Sequence, residues 1–118
     1  MVDVAYQIHT RLGPGLLESV YHTIMLHELR KRGLNVDYEQ PIPVFWDGVQ
    51  MDVGFRADLV VEKNLILELK SVEQIAKVHK KILLTYMRLT NCRLGLLINF
   101  GAELIKDGIT RVVDKLPE

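Results

Sequence analysis

The chain has a single cysteine, Cys92, which excludes a disulfide framework and a cysteine-built metal cluster. Its 15 basic and 15 acidic residues cancel, so it lacks the broad basic footprint of proteins that hold nucleic acid mainly by charge. A local basic face is still compatible with that balance. No apolar run reaches the length of a membrane span, which argues against a membrane partner. The opening "MVDVAYQIHTRLG" has no basic-then-apolar leader pattern, so a cytoplasmic location is expected. Repeats, low-complexity stretches and linker-like segments are missing. So is a glycine-rich phosphate loop ahead of a helix, which speaks against nucleoside triphosphate chemistry.

What is present is an ordinary globular composition, 48% hydrophobic and 25% charged, over 118 residues. That length predicts one domain, 1–118, with a core large enough to stand without staples. "VAYQIHTRL" predicts a helix that Gly13, Pro14 and Gly15 interrupt. "LLESVYHTIMLHELRKR" predicts a second helix, capped at Gly33, with Leu17, Val20, Tyr21, Ile24, Met25 and Leu29 in one apolar stripe. "NVDYEQPIPVFW" reads as an edge strand and Asp47-Gly48 as a hairpin turn. "VQMDVGFRADLVVE" reads as one long strand bent at Gly54, followed by the strand "LILELK". A helix is expected from Ser71 or Val72, with Ile75, Val78, Ile82, Tyr86 and Leu89 inward. "RLGLLINF" reads as a doubly covered strand and "GITRVVDKL" as a short final one. The pattern is helix, three strands, helix, then one or two strands. It predicts an α/β/α layered domain with a central mixed sheet.

The candidate chemistry lies in "FRADLVVEKNLILELK". An apolar strand that carries Glu68 and Lys70 two residues apart needs a reason. Side chains alternate along a strand, so Ile66, Glu68 and Lys70 share a face. A two-residue loop at Lys63-Asn64 would set Leu59 opposite Glu68 and send the carboxylates to different faces. A three-residue loop, Glu62-Lys63-Asn64, is favoured and sets Asp58 opposite Glu68 and Arg56 opposite Lys70, with Asn64 as the left-handed residue. That register places the leucines of "LILELK" on one face with Phe55, Ala57, Leu59 and Val61. The two carboxylates are then within cross-strand reach, on the order of 5 Å between Cβ atoms. Such a pair is solvated, shares a proton, or holds a cation, and oxygen ligands suit Mg²⁺ or Mn²⁺. The alternative is an exposed salt-bridged ladder of Asp58, Glu68, Lys70 and Arg56.

Asp58 followed by Glu68-Leu69-Lys70 resembles the D-(x)n-E-x-K pattern of the PD-(D/E)XK nuclease superfamily. "GLLESVY", residues 15–21, resembles the G-x-x-E-x-x-Y motif that names the GxxExxY family of that superfamily. "LLTYMRLT" and "LGLLINFG" are similar to its later blocks, and the likeness runs along nearly the whole chain. The resemblance implies a restriction-endonuclease-like core. It implies Asp58 and Glu68 as metal ligands, the Leu69 carbonyl as a further ligand, Glu18 as another carboxylate, and Lys70 beside the attacking water. Glu18 near a helix N-terminus has a simpler explanation in the macrodipole.

Tyr21 is read as core, His79 and Arg56 as neighbours of the site, and His9, His22 and His27 as lacking metal-ligand spacing. Lys77, Lys80, Lys81 and Arg88 form the outer face of the third helix, either a phosphate contact or a solvated face, with Leu84 exposed among them. Many superfamily members send a polar side chain into the site from that helix. Here Ile82 stands at the corresponding position. The leading expectation is a metal-dependent nuclease, with DNA ahead of RNA as substrate, and a homodimer would supply two sites. A nuclease-fold binding or assembly module without turnover is the alternative, and hydrolysis of a small phosphate ester is a weaker third.

Overall fold

The computed structural model describes residues 1–52 and 54–114, so the last residues of "GITRVVDKL" lie outside the described part. Helix α1 (Val2–Leu12) buries Val4, Ala5 and Ile8 along one face. Gly13 and Gly15 then take positive φ, 72° and 97°, around Pro14, and the chain re-enters helix as α2 (Glu18–Lys31). α2 buries Tyr21, Met25 and Leu29 at helical spacing, and also His22. Leu17 precedes the helix and is exposed rather than part of the stripe. The helix stops at Gly33, φ 84°, where the Gly33 and Leu34 amides reach back to the Arg30 and Leu29 carbonyls.

Strands β1 (Val36–Pro41), β4 (Arg56–Val61), β5 (Leu65–Lys70), β6 (Leu94–Asn99) and β7 (Ile109–Val113) form one sheet in the order β1-β4-β5-β6-β7. β5 and β6 are parallel, joined across helix α3 (Lys77–Thr90), and the other pairs are antiparallel. This is the central mixed sheet expected from the pattern, with β5 in its middle. α1 and α2 pack on Leu59, Val61, Leu67 and Leu69 on one face, and α3 packs on Ile66, Val60 and Leu97 on the other. A 3₁₀ turn (Ile105–Gly108) leads into β7.

Several expectations are corrected. The segment around Asp47-Gly48 is a separate two-stranded hairpin, β2 (Val44–Trp46) with β3 (Val49–Met51). Asp47 and Gly48 both take positive φ, as a two-residue hairpin turn requires. The long strand bent at Gly54 is therefore two strands, with Gly54 at φ 82° between them. In the next turn the positive φ falls on Glu62 and Lys63 rather than on Asn64, whose amide closes the turn on the Val61 carbonyl.

α3 begins at Lys77 and not at Ser71 or Val72, because both of these are held extended: the Ser71 hydroxyl donates to the Leu16 carbonyl and the Asn99 amide grips the Val72 backbone. Its inward stripe is Leu83 and Met87, while Val78, Ile82 and Leu89 are exposed. Gly95 of β6 decides this, since a Cβ there would lie 2.7 Å from the Met87 sulfur and 3.0 Å from Leu83 Cδ1. The bare backbone gives those two side chains their seat. Leu84 is not free either; it packs against the α3-side core.

Candidate active site

β4 and β5 pair as a ladder from Val61–Leu65 to Leu59–Leu67. The next position in that register sets Asp58 opposite Glu68, as the three-residue loop predicts, and there the ladder ends. Side chains take over from the backbone. The Asp58 amide donates to Glu68 Oε1 at 3.2 Å, and the Leu69 amide donates to Asp58 Oδ2 at 2.8 Å. β1 is interrupted at the same level: Tyr38 pairs with Leu59 and Gln40 with Ala57, while Glu39 between them carries a φ of 49°. The strand also changes face here. Leu59 and Val61 lie in the α1–α2 core, but Ala57 belongs to the α3 core and Phe55 meets Tyr86 of α3. Phe55 and Ala57 therefore do not share the leucine face, contrary to simple alternation.

Glu68 is 6% exposed, which removes the reading of an exposed salt-bridged ladder. Burial, and then the Asp58 charge, pushes its carboxyl up to about 8, with Lys70 drawing it partly back. Burial also pushes Asp58 up, but His22, the Leu69 amide and Glu68 outweigh it and hold Asp58 below the usual carboxylate range. Without a cation, the pair is one carboxylate beside one carboxylic acid, the usual settlement for two such groups in contact.

His22 is the residue that sequence reasoning passed over. Its Nε2 is 3.3 Å from Asp58 Oδ2. That atom is buried and has no aligned hydrogen-bond partner among the described residues. The Asp58 carboxylate raises the imidazole's pKa against the opposing effect of burial. His22 lies four residues after Glu18, one helical turn along the same face, and that spacing was its only signal.

Lys70 ends β5 half-buried, and its carbonyl accepts the Phe100 amide at 2.8 Å. The chain beyond it is fixed by Asn99, a buried amide in an otherwise apolar strand. Asn99 Oδ1 accepts the Val72 and Gly101 amides at 3.0 Å each, and Nδ2 donates to the Val72 carbonyl at 2.9 Å.

Glu18 stands at the first turn of α2, on the wall of a cavity of about 500 Å³ shared with Gly15, Leu16, Ser71, Val72 and Glu73. Asp58 and Glu68 do not line that cavity. Among the described residues, no three of His, Cys, Asp and Glu come together as a ready metal cluster.

Tyr21 is core, stacked on Phe100 with centroids 4.4 Å apart. Its hydroxyl donates to the Gly13 carbonyl at 2.6 Å and accepts the Leu16 amide at 3.2 Å. The glycine and tyrosine of "GLLESVY" thus act together: the tyrosine pins the glycine loop that delivers Glu18.

Arg56 turns away from the carboxylates toward Asp52, 3.8 Å away, and the Phe55 carbonyl, so it is not brought to the site. His79 uses Nδ1 to accept the Ala76 amide at the start of α3, a capping role. Lys77, Lys80, Lys81 and Arg88 are exposed on α3, the first three around a shallow cavity with Leu84 and Val112.

The residues present fit a hard divalent cation. Asp58 and Glu68 each commit one oxygen to a backbone amide, and the two carboxyl groups otherwise face each other, sharing a proton that a cation would replace. Mg²⁺ is commonly held by one or two carboxylates, with water and substrate phosphate completing the shell, so a third preformed ligand is not required. A tetrahedral nitrogen and sulfur site is not formed by these groups.

The family model described as PD-(D/E)XK nuclease superfamily matches residues 1–112. No curated protein and no solved structure gives a match.

Proposed function

Because the chain belongs to the PD-(D/E)XK nuclease superfamily, whose members act on nucleic acid and generally use divalent metals, we propose that it hydrolyses phosphodiester bonds of DNA, in preference to RNA, with Mg²⁺ or Mn²⁺. We further place it in the GxxExxY branch, on the motif at residues 15–21. The observation that carries the reading is the Asp58–Glu68 pair. A buried Glu68 beside a half-buried Asp58 in the central sheet, where the ladder gives way to side-chain bonds, has no use as a surface ion network.

The cation, when bound, supplies the charge that activates water and stabilises the phosphoryl oxygens. The chain's own residues do the rest. Asp58 and Glu68 are aimed by the Leu69 and Asp58 amides, so both carboxylates are held before substrate arrives. The Leu69 carbonyl and Glu18 would be the further oxygen ligands of that cation. Lys70 places its ammonium where negative charge develops on the phosphoryl group. Water adds to phosphorus and releases a proton to solvent, the P–O bond to the leaving strand breaks, and the leaving oxygen takes up a proton from solvent. Lys77, Lys80, Lys81 and Arg88 serve the phosphate backbone. Two chains form the working unit, in the cytoplasm.

The test is calorimetric titration of Mg²⁺ and Mn²⁺ into the wild type and the Asp58→Ala, Glu68→Ala double variant. The same samples are then incubated with single-stranded, duplex and branched DNA and with RNA. Metal binding lost in the variant, with cleavage by wild type alone, is the expected result. Lys70→Ala should keep metal binding and cut at least about 10²-fold more slowly. Metal binding without cleavage of any substrate would favour a module without turnover, a reading that Ile82 supports. Failure to bind either metal would sink the proposal.

A further inference from the structure

The flank of α3 that carries Val78, Ile82 and Leu89 is apolar yet exposed, with Ile82 at 40%. Where that flank meets the start of β4, the rings of Phe55 and Tyr86 lie 5.8 Å apart at 48° to one another. With Lys81, Ile82 and Thr85 they line an open cavity of about 280 Å³. Phe55 is 38% exposed. Both rings of the cavity connect to the carboxylates, one along the chain and one by charge. Phe55 is three residues before Asp58, and the Tyr86 hydroxyl is raised in pKa by burial and by the charges of Glu68 and Asp58.

We propose that the Phe55–Tyr86 cavity seats one unpaired base of the strand whose phosphate lies at Asp58, Glu68 and Lys70, so that the substrate is single-stranded or locally unpaired nucleic acid. The location of the phosphate rests on the nuclease reading above; the base-binding cavity itself does not.

Three features favour this occupant. The cavity falls just below the range of about 300–1,000 Å³ typical of small-molecule sites, and it is walled by two rings and an aliphatic chain. That suits a flat heterocycle and not a duplex groove. The Thr85 hydroxyl already donates to the Lys81 carbonyl at 3.0 Å, so the walls hold the face of a base without reading its edge. Lys81 at the rim meets the charge of a neighbouring phosphate. The chain's overall charge points the same way. With 15 basic against 15 acidic residues, net charge adds no general attraction for duplex, so stacking is what would favour an unpaired strand.

The test measures binding by fluorescence anisotropy in EDTA at low salt. The probes are a labelled single strand, its duplex, and the same strand with abasic positions. The proteins are the wild type, Phe55→Ala, Tyr86→Leu and the Asp58→Ala, Glu68→Ala variant, each first shown to be folded by its urea midpoint. The single strand should bind at least about 10-fold more tightly than the duplex. Each aromatic variant should weaken it about 5- to 150-fold, the range of one lost base stack. The abasic strand should bind wild type as poorly as the normal strand binds Phe55→Ala, and should be indifferent to that substitution. The carboxylate variant should retain the preference for single strands. Equal affinity for duplex, no effect of Phe55→Ala, or no measurable binding of the single strand would each overturn the subsite. If the preference is found but no nucleic acid is cut, the nuclease reading fails and the subsite stands. If cutting is found but Phe55 is silent, only the subsite fails.

Discussion

His22 Nε2 approaches Asp58 Oδ2 to 3.3 Å, a buried imidazole against a carboxylate at hydrogen-bonding distance but with imperfect alignment. The imidazole's pKa is raised by Asp58. Its stabilising effect is therefore fully present below the unfolded value of 6.5 and is lost as pH rises through the folded value. His22→Ala should lower the stability of the metal-free protein by about 1–3 kcal/mol at pH 5.5, where both charges exist. By pH 9 the gap to wild type should shrink. Urea denaturation in EDTA at the two pH values measures this, and a gap that widened at pH 9 would contradict the charge pairing.

Glu68 dictates a second pH dependence. Its carboxyl is raised from 4.5 to about 8 in the fold. Between those values the folded protein holds a proton that the unfolded chain has released. Stability of the metal-free protein should thus fall as pH rises from 4.5 to 8, by at most about 1.4 kcal/mol per pH unit from this group. Glu68→Gln should flatten the decline, and wild type and variant should diverge most near pH 8. Millimolar Mg²⁺ should restore wild type at pH 8 and leave Glu68→Gln little changed, because the cation replaces the proton between the carboxylates. A wild-type midpoint that rose with pH across this window would refute the assignment.

The parts of this arrangement that were legible in the sequence are those that local rules fix. Loop length set the Asp58–Glu68 register, the glycines around Pro14 broke the helix, and the apolar run of β6 announced a covered strand. The parts that were not legible depend on the partner element. α3 offers two apolar stripes, and Val78–Ile82–Leu89 is the longer, yet Gly95 in another strand selects Leu83 and Met87. Alternation also failed at Asp58, because a carboxylate that replaces a ladder bond lets the strand turn over. His22 and Asn99 stayed hidden for a related reason. A polar residue inside an apolar pattern declares nothing until its partner, here Asp58 or Val72, is known.

The Asn99 clamp should be sensitive to small changes. Asn99→Ala leaves the Val72 amide, the Val72 carbonyl and the Gly101 amide without their partner, and should cost about 2–3 kcal/mol. Gly101→Ala acts on the same contact by crowding, since a Cβ there would lie 2.2 Å from the Val72 carbonyl oxygen. It should destabilise by at least about 1–3 kcal/mol. The residue that follows Lys70 by two is thereby released, so both variants should also lose nuclease activity beyond what their folded fraction explains. Denaturation curves paired with cleavage rates at a temperature where each variant is folded separate the two effects. Activity in proportion to folded protein would show that the clamp serves stability alone.

The β2–β3 hairpin bears on assembly. Trp46 pairs with Val49 and Val44 with Met51, so one face of the hairpin is wholly apolar. Trp46 is 68% exposed and Val49 56%, and among the described residues the two strands pair only with each other. An isolated two-stranded hairpin is marginal in water, and a contiguous apolar face on it is more stable when covered. In the two-chain unit proposed above, the same face of a second copy is the cover, since a two-fold axis brings identical patches together. Trp46→Glu should then shift wild-type dimer to monomer in sedimentation velocity, with little change in the protomer's urea midpoint under dilute conditions. Dissociation should not abolish metal binding, because Asp58 and Glu68 come from one chain. A wild type that sediments as a monomer throughout the micromolar range would rule the pairing out and leave the hairpin face to another partner.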